Sequence, residues 1–292
     1  MNASVVVGYD QAPHSEFALA EAAEEAVRRG TALVVVHAFD PASTAPPPDA
    51  ERTAEPVTRN SALRIAEQAA AHARSEHADL EVHARASAGP APAVLAESAR
   101  DAGLLVVGHR GHGCLAGLVR DSVAARVAAR PVCPTMVVRS RGPEPHGTVL
   151  AGIDLEDPVE TVLAFAFDEA RLRRTALNVV SVREHFWPPV YAGDPDKLRE
   201  AAIQAADNAA LALEDLLKPW QAEYPDIHVR HELVDGPPGA ILTAAASFAD
   251  LVIVGAHRHG AAGLPAGDAH IGPTINPLLL RAACPVVVVP RG

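Results

Sequence analysis

The chain alternates short, almost continuously apolar runs with longer stretches in which apolar residues recur every three or four positions. The apolar runs predict strands at about 3–8, 31–38, 80–87, 103–108 and 135–139, and again at about 148–153, 175–182, 227–234, 250–255 and 285–289. Several of them lack polar alternation, as expected of strands covered on both faces. The longer stretches predict amphipathic helices. Leu19, Ala22, Ala23 and Ala26 form one stripe, with Gly30 placed to end that helix. Val159, Val162, Leu163 and Ala166 form a second, and Ile275, Leu278, Leu279 and Ala282 a third. Parallel strands need crossover connections, so five strands alternating with four helices predict a doubly wound parallel sheet, and the pattern occurs twice.

The two occurrences are copies of one another. Val5-Val6-Val7-Gly8-Tyr9-Asp10 returns as Val149-Leu150-Ala151-Gly152-Ile153-Asp154, and Leu104-Leu105-Val106-Val107-Gly108 as Leu251-Val252-Ile253-Val254-Gly255. Cys133-Pro134 returns as Cys284-Pro285, each before an apolar run. The order is kept and the spacing stays near 147 residues, which defines two homologous domains, 1–142 and 146–292. The joint falls near Ser140–His146. Two Pro-rich segments, Asp40–Asn60 and Glu184–Asp196, each follow a second strand and read as surface excursions that fold over a site or as solvated tethers.

Composition narrows the classes. No apolar run approaches the roughly 18–20 residues of a membrane helix, and the N-terminus has no basic n-region or signal core, so the expectation is a cytoplasmic protein with no membrane partner. Three cysteines cannot make a disulfide framework. Cys133 and Cys284 read as small buried hydrophobes, whereas Cys114 lies in a Gly-rich loop. A net charge of -11 argues against nucleic acid, whose phosphates call for a basic face. The only lysines, Lys197 and Lys218, are remote from both Gly-rich loops, and no P-loop or G-x-S-x-G elbow occurs.

Ligands of open parallel sheets bind at the carboxyl ends of the strands where strand order reverses. In the first domain those ends are Gly8-Tyr9-Asp10 and Gly108-His109-Arg110-Gly111-His112-Gly113, the second leading to Asp121-Ser122 before a helix. Closely spaced glycines let backbone N–H groups reach phosphate oxygens, a helix N-terminus adds a favourable dipole, and Ser122 suits the N-cap. Asp10 is placed to accept from a base or ribose. A Gly-rich loop by itself is an ordinary tight turn about half the time.

Those residues resemble the nucleotide-binding motif of the universal stress protein family, in a tandem arrangement of the actinobacterial type. The resemblance implies two Rossmann-like, adenine nucleotide alpha hydrolase-like sheets of five strands each. It also implies that the two sheets pair through their fifth strands, Thr135–Arg139 and Val286–Pro290, as an intrachain pseudo-dimer. Family members that bind ATP carry Gly-x2-Gly-x9-Gly-Ser/Thr after the fourth strand and an Asp after the first. Gly108, Gly111 and Ser122 match the first, second and last of these positions, Asp10 matches the acid, and Ala38 falls at the adenine-contacting backbone. Asp121 stands where the third glycine is expected, which implies ATP binding that is weakened but kept, with Arg110 and Arg120 able to offset the charge. The second domain keeps Asp154, Val182 and Gly255, but has Arg258 at the second glycine and Gly272-Pro273 in place of Gly-Ser. Pro273 offers neither N–H nor hydroxyl, whereas Arg258 offers a bidentate phosphate contact, so the loop reads either as a distinct working variant or as a site that has lost nucleotide.

The implied ligand set is therefore Gly8, Tyr9, Asp10, Ala38, Gly108, Arg110, Gly111, His112, Ser122 and Val123, with Asp154, Val182, Gly255, Arg258 and Gly272 in the second domain. The implied cofactor is ATP, with Mg²⁺ at the phosphates, and the implied role is a nucleotide-dependent stress-response module that is not an enzyme and is read by another protein. A homodimer is compatible with this reading. The competing reading is a nucleotide-independent interaction module, favoured by Asp121 and Pro273. His109-Arg110-Gly111-His112 matches the H-x-G-H of nucleotidyl transferases, but it follows the fourth strand instead of the first and has no second copy. Fourteen histidines, among them His109, His112, His257, His259 and His270, invite a metal reading, yet these lie on Gly-rich loops with Cys114 the only nearby thiol, and a solvated or phosphate-facing role fits them better than a structural metal site.

Overall fold

The computed structural model describes residues 3–40, 58–109, 122–140, 145–184, 195–256 and 271–291. The first repeat runs β1 (Val5–Gly8), α1 (Pro13–Arg29), β2 (Leu33–Phe39), α2 (Arg59–Glu76), β3 (Val82–Ala88), α3 (Ala91–Ser98), β4 (Leu104–Gly108), α4 (Val123–Ala129) and β5 (Thr135–Val138). The second runs β6 (Thr148–Ile153), α5 (Glu160–Arg173), β7 (Ala176–Arg183), α6 (Pro195–Glu223), β8 (Val229–Asp235), α7 (Pro238–Ala245), a 3₁₀ turn (Ala246–Phe248), β9 (Leu251–Gly255), α8 (Ile275–Arg281) and β10 (Val286–Val289). All ten expected strands form, each within two residues of its expected ends.

Two compact units emerge. One holds the described residues of Met1–Arg141 together with Pro285–Pro290; the other holds those of Gly142–Gly255 and Pro273–Cys284. The first unit has strand order β3-β2-β1-β4-β5-β10 and the second β8-β7-β6-β9. The pairings are parallel throughout, except that β10 runs antiparallel to β5, with Val286 opposite Val137, Val287 opposite Met136 and Val288 opposite Thr135. The fifth strands of the two repeats therefore join as expected, and β10 is built into the first unit. Val137 and Val287 are fully buried, so an apolar edge that would invite aggregation is covered.

The helical stripes bury as their spacing predicts: all twelve residues of the three stripes are core. Helix α1 starts with Pro13 in its first turn and stops at Gly30, whose φ of 61° lets its N–H reach Ala26 and Val27 carbonyls. Helix α5 stops in the same left-handed geometry, but at Arg174 (φ 54°), where a side chain makes the conformation costly. Both helices bury a glutamate against an arginine one turn on: Glu25 with Arg29 at 3.1 Å and Glu169 with Arg173 at 3.2 Å. Cys133 and Cys284 are buried at matching positions before β5 and β10, and burial pushes the Cys133 thiol up to about 11. No helix among the described residues is long and apolar enough to cross a membrane.

Candidate functional site

Strand order reverses between β1 and β4 in the first unit and between β6 and β9 in the second. At each reversal, helices leave the neighbouring strands toward opposite faces and open a crevice at the carboxyl ends. Gly8 lies opposite Val107 across β1–β4, and Gly152 lies opposite Val254 across β6–β9.

Packing demands glycine at the first reversal. A Cβ on Gly108 would collide with the His14 carbonyl oxygen and lie 2.6 Å from its carbon, because the first turn of α1 presses on the end of β4. A Cβ on Gly8 would meet the Leu95 side chain of α3 at 2.9 Å. Tyr9 continues the strand: its N–H donates to Val36 O at 3.0 Å, and its carbonyl accepts from His37 Nδ1 at 2.8 Å. That contact fixes the proton on Nδ1, since a carbonyl only accepts. The Tyr9 hydroxyl donates to Glu16, and burial followed by this carboxylate raises the phenol well above its ordinary value.

Asp10 is held without being consumed. Its Oδ1 accepts from the Ala12 N–H at 3.1 Å, and Oδ2 lies 3.6 Å from His14 Nε2 while the side chain stays half exposed. Gln11, at a φ of 64°, turns the loop back into α1. The carboxylate thus stands at the mouth with lone pairs to spare for donors of a base or a ribose. Ala38 lies one strand over on β2, opposite Ser87 of β3. Ser122 is the N-cap of α4, with Oγ accepting from Ala125 N–H at 3.1 Å, and Val123 is the first residue of that helix. The Ser122 hydroxyl hydrogen is still available to donate. The structure therefore brings Gly8, Tyr9, Asp10 and Gly108 to adjacent strand ends, with Ala38 beside them and Ser122 opening the helix that follows β4. Arg110, Gly111, His112, Arg120 and Asp121 lie outside the described residues, as does Cys114.

The second repeat keeps the frame and changes the fittings. Asp154 Oδ1 accepts from Glu156 N–H at 3.0 Å, the same two-residue turn as Asp10 makes, and a Cβ on Gly152 would meet Leu242 at 2.7 Å just as Gly8 meets Leu95. Val182 lies on β7 opposite Val234. Gly255 is less constrained than Gly108, since a Cβ there would approach only a Val162 methyl at 3.1 Å. Gly272 precedes Pro273, and the N-cap of α8 is Thr274, in helical geometry with no side-chain cap. Where the first repeat has Phe39 and Ala88 at the ends of β2 and β3, the second has Arg183 and Asp235 joined by bonds of 3.0 and 2.7 Å. Arg258 lies outside the described residues, as do His257, His259 and His270. Among the described residues no group of three or more His, Cys, Asp or Glu is arranged to hold a metal.

Sequence reasoning passed over His14, Glu16, His37, the Arg183–Asp235 pair, and the leucines packed on Gly8 and Gly152. The leucines had a signal: Gly89-Pro90 and Gly236-Pro237 are each followed, at the same spacing, by Leu95 and Leu242.

Fold and site together define a doubly wound α/β protein with one switch-point crevice per repeat. The universal stress protein family model matches residues 1–139 and 146–290, and the chain belongs to that family. Universal stress protein Rv2005c of Mycobacterium tuberculosis is 32% identical over 298 residues, covering 97% of this chain and 96% of its own. The crystal structure of a universal stress protein from Archaeoglobus fulgidus aligns along the whole of both chains with a TM-score of 0.65 at 16% identity, a likeness of fold. A universal stress protein crystallised in complex with cAMP aligns with 48% of this chain and 98% of its own at 22% identity and a TM-score of 0.37, too low a likeness to place a ligand here.

Proposed function

We propose that this cytoplasmic universal stress protein binds ATP, chiefly in the first repeat, and that the bound state is read by another protein. The observation that carries the reading is the meeting of β1 and β4 at the strand-order reversal. It sets the half-exposed Asp10 carboxylate beside the end of Gly108, on the path to the Ser122-capped start of α4.

In this reading Asp10 accepts from donors on the base or ribose, and the Ala38 backbone meets the adenine edge. Gly108, Gly111, Ser122 and Val123 meet the phosphates, with Arg110 and a Mg²⁺ ion sharing their charge. The fit differs between repeats. The first offers a capped helix start with a hydroxyl to donate; the second offers Pro273, which has no N–H, and an uncapped Thr274. The reading contains no catalytic step, because a water poised for attack calls for a positioned base and the role of each group above is to bind. Turnover of ATP is then slow or nil.

Calorimetric titration of the intact, nucleotide-stripped chain with MgATP tests this. The expected result is one site per chain, kept in Arg258→Ala and lost in Gly111→Glu. Two sites would give the second repeat a working loop of its own. Silence at millimolar ATP would move the protein to the interaction-module class.

A further inference from the structure

The strand orders end at β3 in the first unit and at β8 in the second, and neither strand has a partner on its outer side among the described residues. An open edge is a template for another strand, and folds blunt it with like charge or a covering group. The two edges differ in this respect. On β3 the outward carbonyl of Val82 accepts from Arg74 Nη2 of α2 at 2.7 Å, which caps the edge where it begins. In α6 the place of Arg74 is taken by Gln221.

The backbone of β8 fixes which residues could pair outward. Along a strand, successive residues turn their N–H and C=O to opposite sides. Leu177 N–H donates to His228 O at 3.0 Å and Gly236 N–H donates to Arg183 O at 2.9 Å, so the even-numbered residues of β8 turn toward β7. Val229, His231 and Leu233 therefore turn their backbone groups outward. The side chains of Arg230, His231 and Glu232 are exposed, and those of Val229 and Leu233 are half-buried.

Val229-Arg230-His231-Glu232-Leu233 is its own complement when reversed about His231, since valine meets leucine and arginine meets glutamate. We propose that the outer edge of β8 is an interface with a second copy of this chain, the two strands running antiparallel about a twofold axis at His231. The outward backbone groups of Val229, His231 and Leu233 then meet those of Leu233, His231 and Val229 of the second copy, and Arg230 stands opposite Glu232 of the second copy on both sides of the axis. Opposite charges facing each other across strands stabilise a pair, and like charges oppose it. The charges also select the register. A slip of two residues either way, the smallest that keeps the outward groups matched, sets Arg230 against Arg230 or Glu232 against Glu232. The corresponding register on β3 would set His83 opposite Arg85, on a strand without an acid.

Sedimentation equilibrium of the intact chain tests the proposal. A monomer–dimer equilibrium is expected, with a dissociation constant of about 100 µM or tighter. Arg230→Glu and Glu232→Arg each turn both cross-strand pairs into like charges and are expected to weaken the dimer about tenfold or more, at unchanged Tm because both side chains are exposed. An equimolar mixture of the two variants is expected to recover the dimer, because each strand supplies the charge the other lacks. The double exchange within one chain is expected to recover it as well. A wild-type chain that stays monomeric at millimolar concentration, a dimer unchanged in both single variants, or a mixture that does not associate would each overturn the proposal.

Discussion

The two repeats are the same device with different fittings, several of them at the mouths. What both copies hold in common is either core or forced by close approach: the apolar strands, the helical stripes, the glycines at Gly8 and Gly152, and the buried glutamates Glu25 and Glu169. Some differences are core exchanges, such as Val7 to Ala151 and Ala23 to Phe167, and others lie at strand ends. Tyr9 and His37, linked through the Tyr9 carbonyl, correspond to Ile153 and Ser181; Phe39 corresponds to Arg183, and Val34 to Asn178. A duplicated domain keeps the frame that makes it fold and lets individual positions change.

The largest effect is expected where the repeats meet through paired fifth strands. Val137→Lys or Val287→Lys would bury an ammonium among valines at the β5–β10 pairing, at a cost of about 4 kcal/mol. Because the strands pair, either substitution is expected to lower a single denaturant transition that includes signals from both repeats. Two transitions, with one repeat untouched, would break that picture.

Next comes the contrast between the glycines that end β4 and β9. Gly108→Ala has to displace backbone of α1 and is expected to cost about 3 kcal/mol, whereas Gly255→Ala only nudges a methyl of Val162 and is expected to cost about 1 kcal/mol. Equal losses in urea melts would mean that the two strand ends are equally tight.

A third test uses pH. The Cys133 thiol stands at about 11 when folded against about 9 for a free thiol, and the neutral form is the one the core favours. Its contribution is complete below about pH 9 and is lost as pH rises through the folded value near 11, a loss of about 3 kcal/mol. Cys133→Ala is expected to flatten the stability profile over that window, and an unchanged slope would assign it to other groups.

The smallest effect separates the two left-handed helix ends. Arg174→Gly should stabilise by about 1 kcal/mol, and Gly30→Ala should destabilise by about the same amount. A thermal melt in which both shift in the same direction would show that the two ends are not equivalent.

Strand positions were legible because parallel strands buried on both faces must be apolar along their length, a signal confined to four to eight consecutive residues. Helix stripes were legible for the same local reason, and Ser122 as an N-cap and Gly30 as a helix stop follow from what single residues do to adjacent backbone. The repeat made the fifth strands recognisable as a matched pair. Asp10 and Gly108 were legible as strand ends, which in an open sheet is enough to point at the crevice between them.

Tertiary structure alone decided the rest. It set the His14 carbonyl against Gly108, linked His37 to Tyr9, joined Arg183 to Asp235, and built β10 into the first unit beside β5. It also brought Phe248, His146 and Arg230 to the rim of one cleft. None of these has a local signature. Each depends on register and helix placement, which arise from the whole core packing at once, so residues far apart in sequence share a site only after every strand and helix has found its neighbour.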